Sequence, residues 1–315
     1  MKRVVRIGGG SGGYTLLRGL KAFDLDITAV FTSFDSGGST GVLRDEFGLV
    51  STGDVRRGLL ALADEKQVDI LRKLFEFRFE KEGSTLHKHS FGNLFLVALS
   101  SIYGGEVEGI RKASELLGIK GTILPVSLDR AHVNAKLENG EVIVGETNID
   151  VPKHDGNLRI KDVFLDPPAR LYEETEKAIL EADLIVIGPG DLYSSIVPTL
   201  VVGGMKEALA KSGAKKIAVC NLMTKWGETQ NFSCSDMVQD LLRYSGLKKF
   251  DYVIGNTGTF SPEVLSAYES EKKSPMVCDD ALSQYAENVI AGDFTSKTDQ
   301  ARHDSEKIAK IISEL

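Results

Sequence analysis

Cysteine, tryptophan, long apolar runs and clustered positive charge are all scarce in this chain, and each scarcity removes a class of protein. The three cysteines, Cys220, Cys234 and Cys278, form no CxxC pair, so neither a disulfide framework nor a zinc ribbon is written here. Each reads as a small core residue in a reducing compartment. No apolar run reaches the roughly 18 residues that a membrane helix needs. The opening MKRVVRIGGG carries charge with no apolar segment behind it, unlike a secretory signal, so the expected location is the cytoplasm. The 38 Lys and Arg are outnumbered by 45 Asp and Glu, for a formal charge of −7. Without a basic stripe, no nucleic-acid partner is expected. His87 and His89 have no third ligand at a recognisable spacing, so no metal site is assigned. Ser-His-Asp order, HExxH and a P-loop Lys are missing too, and a binding cleft is more legible than a reaction.

What is present is an alternation of short apolar runs and helical periodicities, with 42% hydrophobic residues to build a core. Val4 to Ile7 reads as a buried strand, Thr15 to Phe23 as a helix and Ile27 to Phe34 as a second strand. Asp35 to Gly41 reads as a loop, and Asp54 as the N-cap of a helix burying Val55, Leu59, Leu60 and Leu62. Further helices are expected over 68–79 and after Ser90. From Gly121 the texture changes. Thr122 to Leu128, His132 to Leu137 and Glu141 to Gly145 read as strands, with Asn139-Gly140 as a hairpin turn. Strands return at Asp183 to Ile187, Lys216 to Asn221 and Phe250 to Asn256. Helices are expected from Tyr172 to Glu181, from Asp236 to Tyr244, and from Ser305 to Leu315 behind an Asp304 cap. This is the pattern of an α/β, Rossmann-like, doubly wound and mainly parallel sheet. It makes one domain, 1–315, with a small antiparallel hairpin excursion at about 121–165.

The chemistry gathers at strand ends. Gly8, Gly10 and Gly13 satisfy GxGxxG between a strand and a helix, where glycines admit a phosphate to the helix N-terminus. Asp35 lies about 20 residues beyond, where a dinucleotide site wants an acid. It suits a ribose hydroxyl or a metal, or else caps the amides of its own loop. The hydroxyls and glycines around Ser39 suit an anion nest. Arg56 and Arg57 stand in the first turn of a helix, opposing its dipole by about 0.3–1 kcal/mol each. That placement fits a bound phosphate or two solvated cations. Asn93, early in its helix, suits a polar ligand group. Gly188-Pro189-Gly190-Asp191-Leu192-Tyr193-Ser194-Ser195 is the strongest isolated signal, since ligands of open α/β sheets collect at such strand ends. Asn221-Leu222-Met223-Thr224 and Gly255-Asn256-Thr257-Gly258 also follow strands.

Taken in order, GGGSGGYTLLRGLK, DSGGSTGVLR, GDVRRGLLALAD, HSFGNLFLVAL, GPGDLYSSIVPTLVV, NLMTKWGET and RHD resemble the gluconeogenesis factor (YvcK-like) family of the CofD-like superfamily, over nearly the whole chain. The resemblance implies a CofD-like fold, a homo-oligomer, and a UDP-sugar ligand such as UDP-N-acetylglucosamine. It also implies a regulatory role in carbon metabolism, cell shape and wall synthesis, with a wall-synthesis regulator or enzyme as partner. The related CofD enzymes are transferases that move a phospholactyl group from a nucleotide onto a deazaflavin with Mg²⁺, which is the alternative function. By motif, the diphosphate would lie against Gly9, Gly10 and Ser11, and Asp35, Asn93 and Asp191 would line the cleft. Tyr268 and Arg302 match the family's UDP-sugar-binding tyrosine and arginine. Gly190, Tyr193 and Asn221 complete the expected contacts. NAD is a third expected occupant, since it presents the same diphosphate. The sequence departs from the family where a usual Asp-Asp is Asp35-Ser36, which removes one carboxylate from a Mg²⁺ site, and where Arg57 stands in place of Asn.

Overall fold

The computed structural model describes residues 1–47, 52–64, 68–296, 298 and 300–315. Seven strands make the main sheet: β1 (Lys2–Ile7), β2 (Leu25–Phe31), β3 (Thr122–Pro125), β7 (Leu184–Ile187), β8 (Lys215–Val219), β9 (Phe250–Asn256) and β10 (Ala286–Gly292). Their spatial order is β10-β9-β8-β7-β1-β2-β3, and every neighbouring pair is parallel. The chain builds outward from β1 in one direction through β2 and β3, then returns to β7 and builds the other way. The order therefore reverses between β1 and β7, which is where open α/β sheets bind ligands.

The pleat sorts the core onto the two faces. Val5, Ile7, Ile185 and Ile187 pack on one side with the helix Cys234–Ser245. Val4, Leu184 and Val186 pack on the other with the helices Gly10–Leu20, Thr52–Leu62 and Ser305–Glu314. Burial on both faces explains why these strands read as near-continuous apolar runs. A second sheet, β5-β4-β6, is antiparallel: β4 (His132–Leu137), β5 (Val142–Val144) and β6 (Ile160–Asp166). Its buried face, with Val133, Ala135, Leu137 and Val163, joins the first core cluster instead of forming one of its own. The short helix Glu146–Asp150 connects β5 to the site. No helix among the described residues is long and apolar enough to cross a membrane.

Three expectations are corrected, and one unexpected strand is added. Thr122–Pro125 belongs to the main sheet, parallel to β2, and not to the antiparallel excursion. The loop at Asp35 to Gly41 is cut short by a helix, Gly38–Phe47, whose first turn closes through Gly41 N to Gly37 O at 3.1 Å. Asp54 lies inside the helix Thr52–Leu62 and does not cap it. Strand β10 was not expected: Glu287 and Asn288 interrupt its pattern and leave only Val289 to Ala291 as a short apolar stretch on an exposed edge. The capped tail helix and the Ser90-capped helix Phe91–Tyr103 stand as expected.

The first and last helices cross at Gly19. A Cβ there would stand 2.1 Å from the Ser305 carbonyl oxygen and 3.0 Å from the Ala309 methyl. Gly19→Ala should therefore destabilise the fold by about 1–3 kcal/mol, despite alanine's better helix propensity. Urea unfolding would check this; a midpoint at or above wild type would mean that the tail helix shifts freely.

Candidate functional site

The loops that follow β1 and β7 meet at the switch point and touch through their glycines. A Cβ on Gly190 would lie 2.7 Å from the Gly9 carbonyl oxygen, and one on Gly12 would lie 3.2 Å from the Pro189 backbone. Beneath them Arg6, wholly buried, donates to the carbonyls of Gly8, of Gly9 at 3.2 Å and of Pro189 at 2.7 Å. Burial lowers its pKa to about 10, against the raising effect of Asp54. Asp54 reaches across from its own helix and accepts from Gly10 N at 3.1 Å. It thus caps the helix after β1 in place of its own. Ser11 and Gly12 carry the next N–H groups, for which the helix offers no acceptor.

Two chambers open from this turn, and Ser11 and Asp191 line both. The first, about 510 Å³, lies over the ends of β7 and β8. It brings together Ser11, Gly190, Asp191, Asn221, Tyr268 and Arg302, all anticipated from sequence, with Lys225 and His303, which were not. Asn221 is tied to the β7 loop: its amide accepts from Gly190 N at 3.1 Å and donates to Gly190 O at 2.8 Å. Tyr268 Oη accepts from Ala301 N at 3.2 Å, and Arg302 Nε donates to Gln300 Oε1 at 3.2 Å. Burial lowers His303 to about 4, so the imidazole is neutral at ordinary pH.

The second chamber, about 400 Å³, lies over β1 and β2. It gathers Gly10, Ser11, Asp35, Ser39, Arg56, Asn93 and Asp191 from the sequence reading and adds Glu146 and Asp150. Ser39 Oγ is shared between His89 Nδ1 at 3.0 Å and Asn93 Nδ2 at 3.2 Å, while buried Asn93 Oδ1 has no partner. Asp35 does cap its own loop, accepting from Gly37 N at 2.9 Å. Two anticipated contacts lie elsewhere. Gly9 lines neither chamber, because its Cα faces the Asp54 carboxylate. Tyr193 is fully buried, stacked edge-on against Phe232 with its hydroxyl on Asp240. The apolar surroundings of a π-helical turn, Leu192–Ile196, turn it into the core.

An ion cluster built around the buried Glu228 stands between the chambers. Lys225 Nζ contacts Asp150, Asp191 at 3.0 Å and Glu228 at 3.0 Å. Burial pulls the ammonium down, and the three carboxylates more than offset this, so its pKa stands above the usual range. The Glu228 side chain is fully buried and also accepts from Tyr193 N at 2.8 Å, Ser194 N at 3.2 Å and Ser194 Oγ at 2.8 Å. The oxygens of Asp150, Asp191 and Glu228 lie within 4.8 Å of one another, a spacing a metal ion could use, but here they surround an ammonium.

The family model described as 2-phospho-L-lactate transferase CofD matches residues 4–295. The chain belongs to the CofD family. A Thermotoga maritima relative, named as a gluconeogenesis factor, is 43% identical over 322 residues, covering 99% of this chain and 99% of its own length. The protein named "Gluconeogenesis factor" in Bacillus subtilis is 38% identical over 316 residues, 99% of this chain and 98% of its own. A crystal structure of a Bacillus halodurans protein, described as a member of the UPF0052 family, matches with a TM-score of 0.92 at 37% identity, covering 99% of each chain.

A further carboxylate reaches the loop after β2 from a distant part of the chain. Glu146 accepts from Ser36 N at 3.2 Å and lies beside Asp35. Burial first, and then the Asp35 charge, pushes Glu146 up to about 9.

Two measurements test this site. An acid whose folded value is raised stabilises the fold fully below its ordinary 4.5 and loses that stability as pH climbs to about 9. Glu146→Gln should flatten the decline in unfolding free energy over that window, and a variant keeping the wild-type slope would place the titration elsewhere. Lys225→Met would leave Glu228 buried without its cation, at about 3 kcal/mol. Pairing it with Glu228→Gln should recover part of the loss in chemical denaturation, and strictly additive losses would show that the two side chains are not coupled.

Proposed function

We propose that this CofD-family chain binds a nucleoside diphosphate sugar of the UDP-sugar type as a regulatory ligand. The diphosphate would lie against the first turn at Ser11 and Gly12, with Arg302 opposite. The rest of the molecule would extend past Asn221, Thr224 and Tyr268. The observation that carries this reading is the convergence of Ser11, Asn221, Tyr268 and Arg302 on one chamber of about 510 Å³, because these come from four separate segments of the chain. That volume suits a ligand of this size. The regulatory role would serve carbon metabolism, cell shape and wall synthesis in the cytoplasm, through a homo-oligomer and a wall-synthesis regulator or enzyme as partner. NAD, with the same diphosphate, is the expected competitor.

A second reading, a nucleotide-dependent CofD-type transferase, is favoured by one observation. Asp35 and Glu146 stand side by side, with Asp54 near enough to feel the Asp35 charge. These oxygen donors fit a hard divalent cation such as Mg²⁺, which when bound would neutralise charge on a transferring phosphoryl group.

Thermal unfolding with UDP-N-acetylglucosamine, UDP-glucose, NAD and GTP, each with and without Mg²⁺, separates the two. A ligand at about 100 times its Kd stabilises by about 2.7 kcal/mol. The regulatory reading expects a Mg²⁺-independent shift with UDP-sugars that Arg302→Ala abolishes. No shift with millimolar UDP-sugar, beside a Mg²⁺-dependent shift with GTP, would replace it with the transferase.

A further inference from the structure

A third cavity, about 560 Å³, lies on the outer side of the first turn of the helix Gly10–Leu20. Ser11, Tyr14, Thr15 and Arg18 reach it from one helix at i, i+3, i+4 and i+7, the spacing of a single face. Arg56, Arg57 and Leu60 form the opposite wall, and Arg302 and His303 close the end ahead of the tail helix. Four guanidinium groups thus face one cavity, against a single carboxylate, Glu76, among its described lining residues.

Their own contacts leave positive charge over. Arg57 pairs with Asp54 at 3.4 Å, Arg18 lies 5.9 Å from the Tyr14 ring centroid, and Arg302 Nε has the neutral Gln300 side chain. Arg56 is only 8% exposed; its Nη1 donates to Phe75 O at 3.1 Å, and its buried Nε has no partner. Burial first, then the Arg57 and Arg78 charges, lowers it to about 10. Arg56 and Arg57 stand in the second turn of the helix Thr52–Leu62, behind Asp54, and not in its first turn as expected from sequence. A phosphate would relieve the repulsion and the vacant donor together, because guanidinium forks match its oxygens.

We infer that this cavity is a second ligand site, separate from the nucleotide chamber, for a small phosphate-bearing molecule. The phosphoryl oxygens lie on Arg18, Arg56 and Arg57, and any organic part rests on Tyr14 and Leu60. Ser11, Thr15, Arg302 and His303 wall both this cavity and the first chamber, so occupancy of either site changes the affinity of the other by the same factor.

Calorimetric titration of the full chain with inorganic pyrophosphate and with glucose 6-phosphate, each without and with saturating UDP-N-acetylglucosamine, tests this. The expected result is binding that survives saturation and weakens about tenfold or more in Arg18→Glu, while Arg18→Lys retains most of it. The UDP-sugar titration should stay within about twofold of wild type in both variants, since Arg18 does not line the first chamber. Tighter binding of glucose 6-phosphate would assign the organic part to Tyr14 and Leu60, and tighter binding of pyrophosphate would assign the site to an inorganic anion. Equal affinity in wild type and Arg18→Glu would overturn the inference, as would complete loss of probe binding under saturating UDP-sugar. Failure of UDP-sugar to bind would refute the nucleotide reading alone, because the effect of Arg18→Glu on the probes is read independently.

Discussion

The Arg6 guanidinium, buried under the two glycine loops, is the contact on which the site depends. A charge taken fully out of water must be met by polar groups, and here the carbonyls of Gly8, Gly9 and Pro189 meet it. Those three carbonyls belong to the loops after β1 and β7, so satisfying one arginine fixes the relative position of both strand ends. The sequence shows the consequence at Gly13, where a Cβ would lie 2.2 Å from the same guanidinium. Asp54 completes the arrangement by supplying a counter-charge and capping Gly10. The glycine motif is therefore shaped from below by a buried cation.

This explains which parts of the site were legible in the sequence. Strand-end loops are local signals, and Gly10, Ser11, Asp35, Ser39, Asn93, Gly190, Asp191 and Asn221 stand in the cleft because their spacing along the chain is enough to place them there. Tyr268 and Arg302 came only through resemblance to the family, since neither follows a strand in a recognisable way. Tyr193 went the other way. It lies in the richest motif, but the π-helical turn rotates it into the core, and no one-dimensional spacing encodes that rotation. Arg6 and Glu228 were invisible for a related reason: a buried charge looks like a surface charge until its partners are known. The main sheet was readable from its apolar runs, whereas β10 was not, being half exposed at an edge.

The antiparallel sheet gains a purpose from the same geometry. Its pattern reads as a decorative hairpin, but the helix that leaves β5 carries Glu146 to Asp35 and Asp150 to Lys225. Both contacts bridge from the excursion to loops of the main sheet. The antiparallel excursion thus brings Glu146 to Ser36 across 110 positions of sequence.

The chambers also divide their charge in a way that constrains what can enter. Acids Asp35, Glu146 and Asp150 line one wall of the β1–β2 chamber, while Arg56, Arg57 and Arg78 line another. Burial and mutual repulsion hold Glu146 towards its neutral form and depress Arg56, so neither wall is at ease without a guest. A neutral sugar alone would answer neither wall. A ligand bearing a phosphate, or a phosphate with a cation, answers both, because the anion meets the arginines and the cation or hydroxyls meet the acids. Opposed charge is thus the property that distinguishes this chamber's lining.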